Sequence, residues 1–119
     1  MNMVVHYLRN NETPHSNSYK KNIFFNKYEL NSILSFYGKK VSQGLLKDYA
    51  IDHLGTQAVF SFYRNTFESA YLQIHKNKKN SKHMYKYCLI NSSGAMLKQN
   101  EDLEVLINYI DNLKLAIIK

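Results

Sequence analysis

Between Lys27 and Ser42, apolar side chains recur at the three- and four-residue spacing of an amphipathic helix. They are Leu30, Ile33, Leu34, Tyr37 and Val41. Asn26 precedes the stretch and Glu29 lies three residues further on, the spacing of a reciprocal capping box. The pattern predicts a helix whose packed face carries those five side chains. Gly38, in its middle, is unfavourable in a helix, so we expect it to permit close approach of another element.

Alternation with a period of two replaces this spacing further along the chain. Residues 48–54 and 58–64 both alternate, with Gly55 at the turn between them, which predicts an antiparallel hairpin. The first arm is short, so its continuation as helix stays an open alternative. Two more strands are expected at 70–76 and 83–90, around a polar loop, and a short one at 95–98.

The last stretch, residues 101–117, returns to helical spacing and has Asn100 as its predicted cap. Grouped strands between two helices predict an α+β fold with an antiparallel sheet of four or five strands and the C-terminal helix packed on it. Residues 1–22 are polar with little periodicity, so we predict a flexible N-terminal arm there and a single domain over 23–119.

Composition adds little to this picture. The net charge of +7 and the pI of about 9.4 favour an anionic partner, but the positive charge is almost entirely lysine. Nucleic-acid sites rely on arginine, of which the chain has two. Cys88 is the one cysteine, which excludes an internal disulfide and a cysteine-based zinc site. No stretch is apolar for long enough to cross a membrane, and the N-terminus is a poor signal peptide, so a cytoplasmic location is expected.

Residues 30–64 resemble the core of a small alphaproteobacterial family of unknown function. The resemblance rests on Phe36, Tyr37 and Gly38, on DYAID at 48–52, and on AVFSFYR at 58–64. The stretch GAMLKQNEDLEVLINYI at 94–110 is similar to the closing strand and helix of that family. The resemblance implies a shared fold over about residues 26–113. It implies no catalytic residue, because the family has no established activity.

Asp48, Asp52 and Arg64 form the first candidate polar site. Both aspartates fall on one face of the first predicted strand, and Arg64 ends the next strand. A structural ion pair between Arg64 and Asp48 is the favoured interpretation, and an anion-binding cleft is the alternative. The choice of arginine in a lysine-rich chain supports a position that needs a guanidinium group.

A lysine-rich hairpin is the second candidate. Its basic residues are Lys76, Lys78, Lys79, Lys82 and Lys86. Tyr71, Tyr85 and Tyr87 lie on the flanking strands and could stack on bases while the lysines meet phosphates. A solvated loop beside core tyrosines is the structural alternative and is favoured, because no nucleic-acid-binding signature is present.

Catalytic and metal-binding patterns are lacking in the sequence. His53, His75 and His83 do not form an HxH or HExxH spacing, and no nucleophile elbow or phosphate loop occurs. We therefore predict no enzymatic activity, no cofactor and no metal. The expected function is a cytoplasmic regulatory or adaptor domain that contacts proteins, including a second copy of itself. Nucleic-acid binding through residues 76–86 is the alternative.

Overall fold

A five-stranded antiparallel meander forms the centre of the structure, a computed structural model that describes residues 22–65, 68–78 and 85–113. The strands are β1 (Asp48–His53), β2 (Gln57–Tyr63), β3 (Leu72–Asn77), β4 (Tyr87–Asn91) and β5 (Met96–Asn100). Each strand pairs with the next one along the chain. The predicted hairpin is confirmed, and the continuation of the first helix into β1 is excluded.

The first helix, α1 (Lys27–Ser42), has the predicted bounds and cap. The Asn26 side chain accepts a hydrogen bond from the Glu29 amide at 2.8 Å, and the Glu29 carboxylate accepts one from the Asn26 amide at 2.7 Å. The chain leaves the helix through Gly44, whose φ of 76° suits glycine. These local signals were sufficient to place α1.

The packed face of α1 differs from the prediction. Its buried side chains are those of Glu29, Ile33, Phe36 and Lys40, whereas Val41 is 39% exposed. Two of the four carry charge, which a search for apolar spacing does not detect. The expected close approach at Gly38 is wrong, because a Cβ placed there would have no atom within 4 Å.

The second helix, α2 (Leu103–Asp111), begins later than predicted. Its cap is Asp102, whose side chain accepts from the Glu104 amide at 3.0 Å. Asn100, the predicted cap, instead accepts from the Asp102 amide at 2.9 Å. The end of the predicted helix, beyond residue 113, and the predicted arm up to residue 21 lie outside the described residues.

The core fills the space between one face of the sheet and the two helices. Phe36 of α1 packs edge-on against Phe62 with 5.7 Å between ring centroids, and Tyr49 stacks on Phe60 at 5.1 Å. Leu106 and Ile110 of α2 are fully buried in the same cluster. The predicted α+β class, with the C-terminal helix on the sheet, is confirmed.

Candidate functional site

The face of the sheet that points away from α1 and α2 is defined by strand alternation. Phe60, Phe62, Leu72 and Ile74 enter the core, so their neighbours along each strand face the other way. We call this surface the far face. Its residues are Asp48, Ala50 and Asp52 of β1; Gln57, Val59, Ser61 and Tyr63 of β2; Gln73, His75 and Asn77 of β3; Cys88 and Ile90 of β4; and Met96 and Gln99 of β5.

The far face is depleted of charge. Among the described residues of β2 to β5, no far-face position holds Lys, Arg, Asp or Glu. The chain as a whole is 21% charged. The charges on this face are Asp48 and Asp52, both at its β1 margin. By contrast, the helix-facing side of the sheet carries Lys76 and Lys98, which reach Glu29 and the ring of Tyr109.

Hydrogen-bonded side chains run along the middle of the far face, and we call them the polar ladder. Its members are Ser61, Gln73, His75, Gln57 and Asn77. Gln73 Nε2 donates to Ser61 Oγ at 3.0 Å, and His75 Nε2 lies 3.1 Å from Gln73 Oε1. Gln57 Nε2 lies 2.8 Å from Asn77 Oδ1 and 3.5 Å from His75 Nδ1.

A backbone carbonyl fixes the direction of every bond in the polar ladder. Asn77 Nδ2 lies 2.9 Å from the Tyr85 carbonyl oxygen, which can only accept, so the Asn77 amide donates there. Asn77 Oδ1 must then accept from Gln57, and the Gln57 amide leaves His75 Nδ1 as an acceptor. His75 therefore carries its proton on Nε2 and donates to Gln73. Burial lowers the pKa of His75, which agrees with this neutral form.

The polar ladder has its hydrogen-bonding groups turned toward one another. None of its buried side-chain nitrogen and oxygen atoms lacks a partner within the described structure. Cys88, beside Asn77, is 2% exposed, and burial raises the pKa of its thiol. An inward-facing, protonated thiol is a poor nucleophile. The arrangement suits a fixed contact surface better than acid–base or nucleophilic chemistry.

The predicted ion pair between Arg64 and Asp48 is wrong. Within the described residues neither Asp48 nor Asp52 makes a salt bridge with Arg64. The guanidinium lies over the Tyr71 ring, 4.7 Å from its centroid. The register explains the difference, since Asp48 pairs with Tyr63 rather than Arg64, and consecutive strand residues point to opposite faces. The two aspartates do share one face, as predicted.

Lys76 is not available to phosphate, contrary to its place in the predicted basic hairpin. Its Nζ lies 2.8 Å from Glu29 Oε1 and 2.8 Å from the Phe24 carbonyl oxygen. Tyr87 donates a hydrogen bond to the other oxygen of Glu29. Glu29 is 3% exposed, so this is a buried ion pair that joins α1 to β3 and β4. The sequence showed Glu29 as a cap and missed this second role.

The pKa values in this cluster follow from its geometry. Burial acts to raise the pKa of Glu29, but hydrogen bonds from Lys76, Tyr87 and the Asn26 amide outweigh it and place it below its usual value. Burial, and then the Glu29 carboxylate, raise the pKa of Tyr87 far above that of a free tyrosine. Glu29 is therefore ionised and Tyr87 protonated at neutral pH. Tyr87 is also 4% exposed, so its ring is not open to stack on a base.

The rest of the basic hairpin is less organised than the prediction requires. Lys78 and Lys86 are half-buried, and the Lys86 ammonium lies 5.5 Å from the Tyr87 ring centroid. Tyr85 is 45% exposed. Lys79 and Lys82 lie outside the described residues. Two lysines and one tyrosine of the predicted surface remain accessible in the part that is described.

A groove of about 370 Å³ runs between α1 and α2. Ser32, Ser35 and Lys39 line one side, and Glu104, Ile107 and Asp111 line the other. Asp111 closes one end by pairing with Lys39 at 3.1 Å and with buried Lys40 at 2.7 Å. Hydrogen bonds from Lys40 and Lys39 lower the pKa of Asp111. The charges in this groove are already matched between the helices.

Metal-binding and membrane-spanning features were also sought. Over residues 22–65, 68–78 and 85–113, no three His, Cys, Asp or Glu side chains come together as a metal site. Neither α1 nor α2, the two described helices, is long and apolar enough to span a bilayer.

Comparison with known proteins places the chain in a family. Residues 23–107 match the model of the family described as "Protein of unknown function (DUF2794)", and the chain belongs to that family. The resemblance to a family of unknown function is thereby confirmed. No curated protein and no solved structure gave a match. All far-face residues and the Glu29–Lys76 pair lie inside the matched range.

Proposed function

We propose that this member of the DUF2794 family is a non-enzymatic regulatory or adaptor domain of the cytoplasm that binds protein through its far face. The observation that carries the proposal is the lack of charge on that face from β2 to β5, in a chain with a net charge of +7. Depletion of charged residues marks the centre of protein interfaces more reliably than overall hydrophobicity does.

The side chains of the far face suit burial under a partner. Tyr63 and Ile90 are half-buried and Met96 is 50% exposed, so apolar surface remains to be covered. Tyrosine and methionine are residue types enriched at interfaces. The polar ladder loses little when water is removed, because its groups already bond one another.

The non-enzymatic part of the proposal rests on the same geometry. A general base must reach a substrate proton at hydrogen-bond distance. His75 has both ring nitrogens directed at glutamine side chains, and Cys88 is buried with a raised pKa. Neither group is presented to a substrate on the far face.

The test is the native size of the full-length protein in extracts of cells that contain it. The wild-type chain is expected to elute in a complex clearly larger than 14.0 kDa. Met96→Glu places a charge on the far face and should shift the chain to the monomer position. Val41→Glu is the matched control, because Val41 is 39% exposed on α1, away from the far face. Elution of wild type and Met96→Glu at the same size would overturn the proposal.

Nucleic-acid binding is the second candidate and keeps less support. Lys78 and Lys86 still flank the β3–β4 connection, but Lys76 and Tyr87 are held by Glu29. If nucleic acid binds there, affinity must fall steeply with salt and fall again in a Lys78→Gln/Lys86→Gln variant. Binding that persists in this variant, or no binding at low salt, would remove the candidate.

A further inference from the structure

We infer that the partner of the far face is a second copy of this chain, packed sheet against sheet about a two-fold axis parallel to the strands. The inference rests on the proposed function and names the occupant of the surface. In this arrangement β3 lies over β3 of the other copy, β2 lies over β4, and β1 lies over β5. The contact is closed, since each copy contributes the same surface.

The area of the far face is sufficient for a weak dimer. Five strands spaced about 4.8 Å apart are about 24 Å wide, and five or six residues at about 3.3 Å each are about 18 Å long. The flat projection is therefore about 430 Å² per copy. Side chains enlarge the accessible surface, so two copies would bury about 1,000 Å² in total. This value lies at the lower limit for specific interfaces, and it indicates an equilibrium between monomer and dimer at micromolar concentrations.

Charge explains why a second copy is tolerated by so basic a chain. Two copies carry +7 each, but the far-face positions of β2 to β5 bring no like charges together. A polar or nucleic-acid partner would instead leave the apolar surface of Ile90 and Tyr63 without a match. In the two-fold arrangement those two side chains cover each other, because both lie at the same end of the sheet.

The two aspartates of β1 select the direction of the axis. An axis perpendicular to the strands would place Asp48 and Asp52 of one copy over Asp52 and Asp48 of the other, and four carboxylates would then meet. An axis parallel to the strands places β1 over β5 of the other copy. Asp48 then lies over Met96, since the two residues are at the same end of the sheet. Like charges directly opposed are unfavourable, so the parallel axis is preferred.

The test is sedimentation velocity of the purified full-length protein from about 1 to 300 µM. The weight-average mass should rise from 14.0 kDa toward twice that value with concentration. Ile90→Glu should weaken the dimer at least tenfold, whereas Val41→Glu should leave it unchanged. A wild-type chain that stays monomeric over the whole range would overturn the inference.

Opposite charges at position 96 test the direction of the axis. Met96→Lys approaches Asp48 of the other copy and should tighten the dimer by up to about fivefold, the size of an exposed ion pair. Met96→Glu should weaken it. Net charge alone predicts the reverse order, because lysine adds to an already positive chain. Weakening by both variants would overturn the parallel axis. Met96 is half-exposed, so neither variant is expected to disturb folding.

Failure here is distinguishable from failure of the proposed function. A purified chain that is monomeric, but whose larger complex in cell extracts is lost in Met96→Glu, contradicts the second copy and leaves the far face as a surface for a different protein. A chain that is monomeric in both settings contradicts both proposals.

Discussion

Replacement of Glu29 by glutamine should destabilise the domain far more than its place in a helix cap implies. The Glu29 carboxylate accepts hydrogen bonds from Lys76, the Asn26 amide and Tyr87, and it donates none. Glutamine turns one acceptor into an NH₂ group that must face one of these donors. It also leaves the Lys76 ammonium, whose side chain is 13% exposed, without its counter-charge.

The expected size of this effect follows from burial. Removal of one partner of a buried ion pair costs about 3–5 kcal/mol, because the other charge is left unpaired. Lys76→Met should cost a similar amount. Glu29→Gln/Lys76→Met removes both charges, so its cost should fall at least about 2 kcal/mol short of the sum of the single losses. A domain of this size has about 5–15 kcal/mol of stability, so each variant should still fold.

Urea denaturation followed by circular dichroism measures these free energies, provided the dependence on urea is the same for all variants. Glu68→Gln is the control, since Glu68 is exposed, and it should cost less than about 0.5 kcal/mol. Because the folded-state pKa of Glu29 lies below the ordinary 4.5, its contribution is complete above pH 4.5 and is lost as pH falls through the folded value. Strict additivity of the two single variants would refute the buried pair.

Three further outcomes test other parts of the structure. Because burial holds the pKa of His75 below 6.5, its contribution to stability is complete above pH 6.5 and declines as pH falls below that value; thermal melts at pH 8 and pH 5 should show a larger loss for wild type than for His75→Gln, and equal losses would contradict the neutral polar ladder. Gly38→Ala should raise stability in urea by about 0.5–1 kcal/mol, since Gly38 lies within α1 with open space around it; a loss would show that its backbone or surroundings are misjudged. A double-mutant cycle should find about 0.5–1 kcal/mol of coupling between Arg64 and Tyr71 and almost none between Arg64 and Asp48.

Local signals in the sequence were sufficient for much of the fold. The capping box at Asn26 and Glu29 predicted the start of α1, and the alternation on either side of Gly55 predicted β1 and β2. Each of these features depends on residues within a few positions of one another. The α+β class followed from their order along the chain.

Contacts between distant residues account for the errors. Glu29 and Lys40 are buried on α1 because Lys76 and Asp111 neutralise them from 47 and 71 residues away, and apolar spacing carries no sign of such partners. Arg64 was paired with Asp48 because both end their strands. The actual register, set at the Gly55 turn, pairs Asp48 with Tyr63 instead.

The far face was missed for a related reason, although a signal for it existed. Every second residue from Gln57 to Tyr63 and from Gln73 to Asn77 is uncharged, in a chain rich in lysine. On a single strand this is unremarkable. Its meaning appears only when the register places those positions side by side and the helices are found on the other face.

Site-specific photo-crosslinking in living cells tests the central claim most directly. A photoreactive side chain at Ile90, on the far face, should give a discrete adduct with one protein, and the second-copy arrangement predicts that this protein is the chain itself. The same group at Val41, on the opposite side of the molecule, should give none. Adducts at Val41 with none at Ile90 would contradict a protein-binding role for the far face.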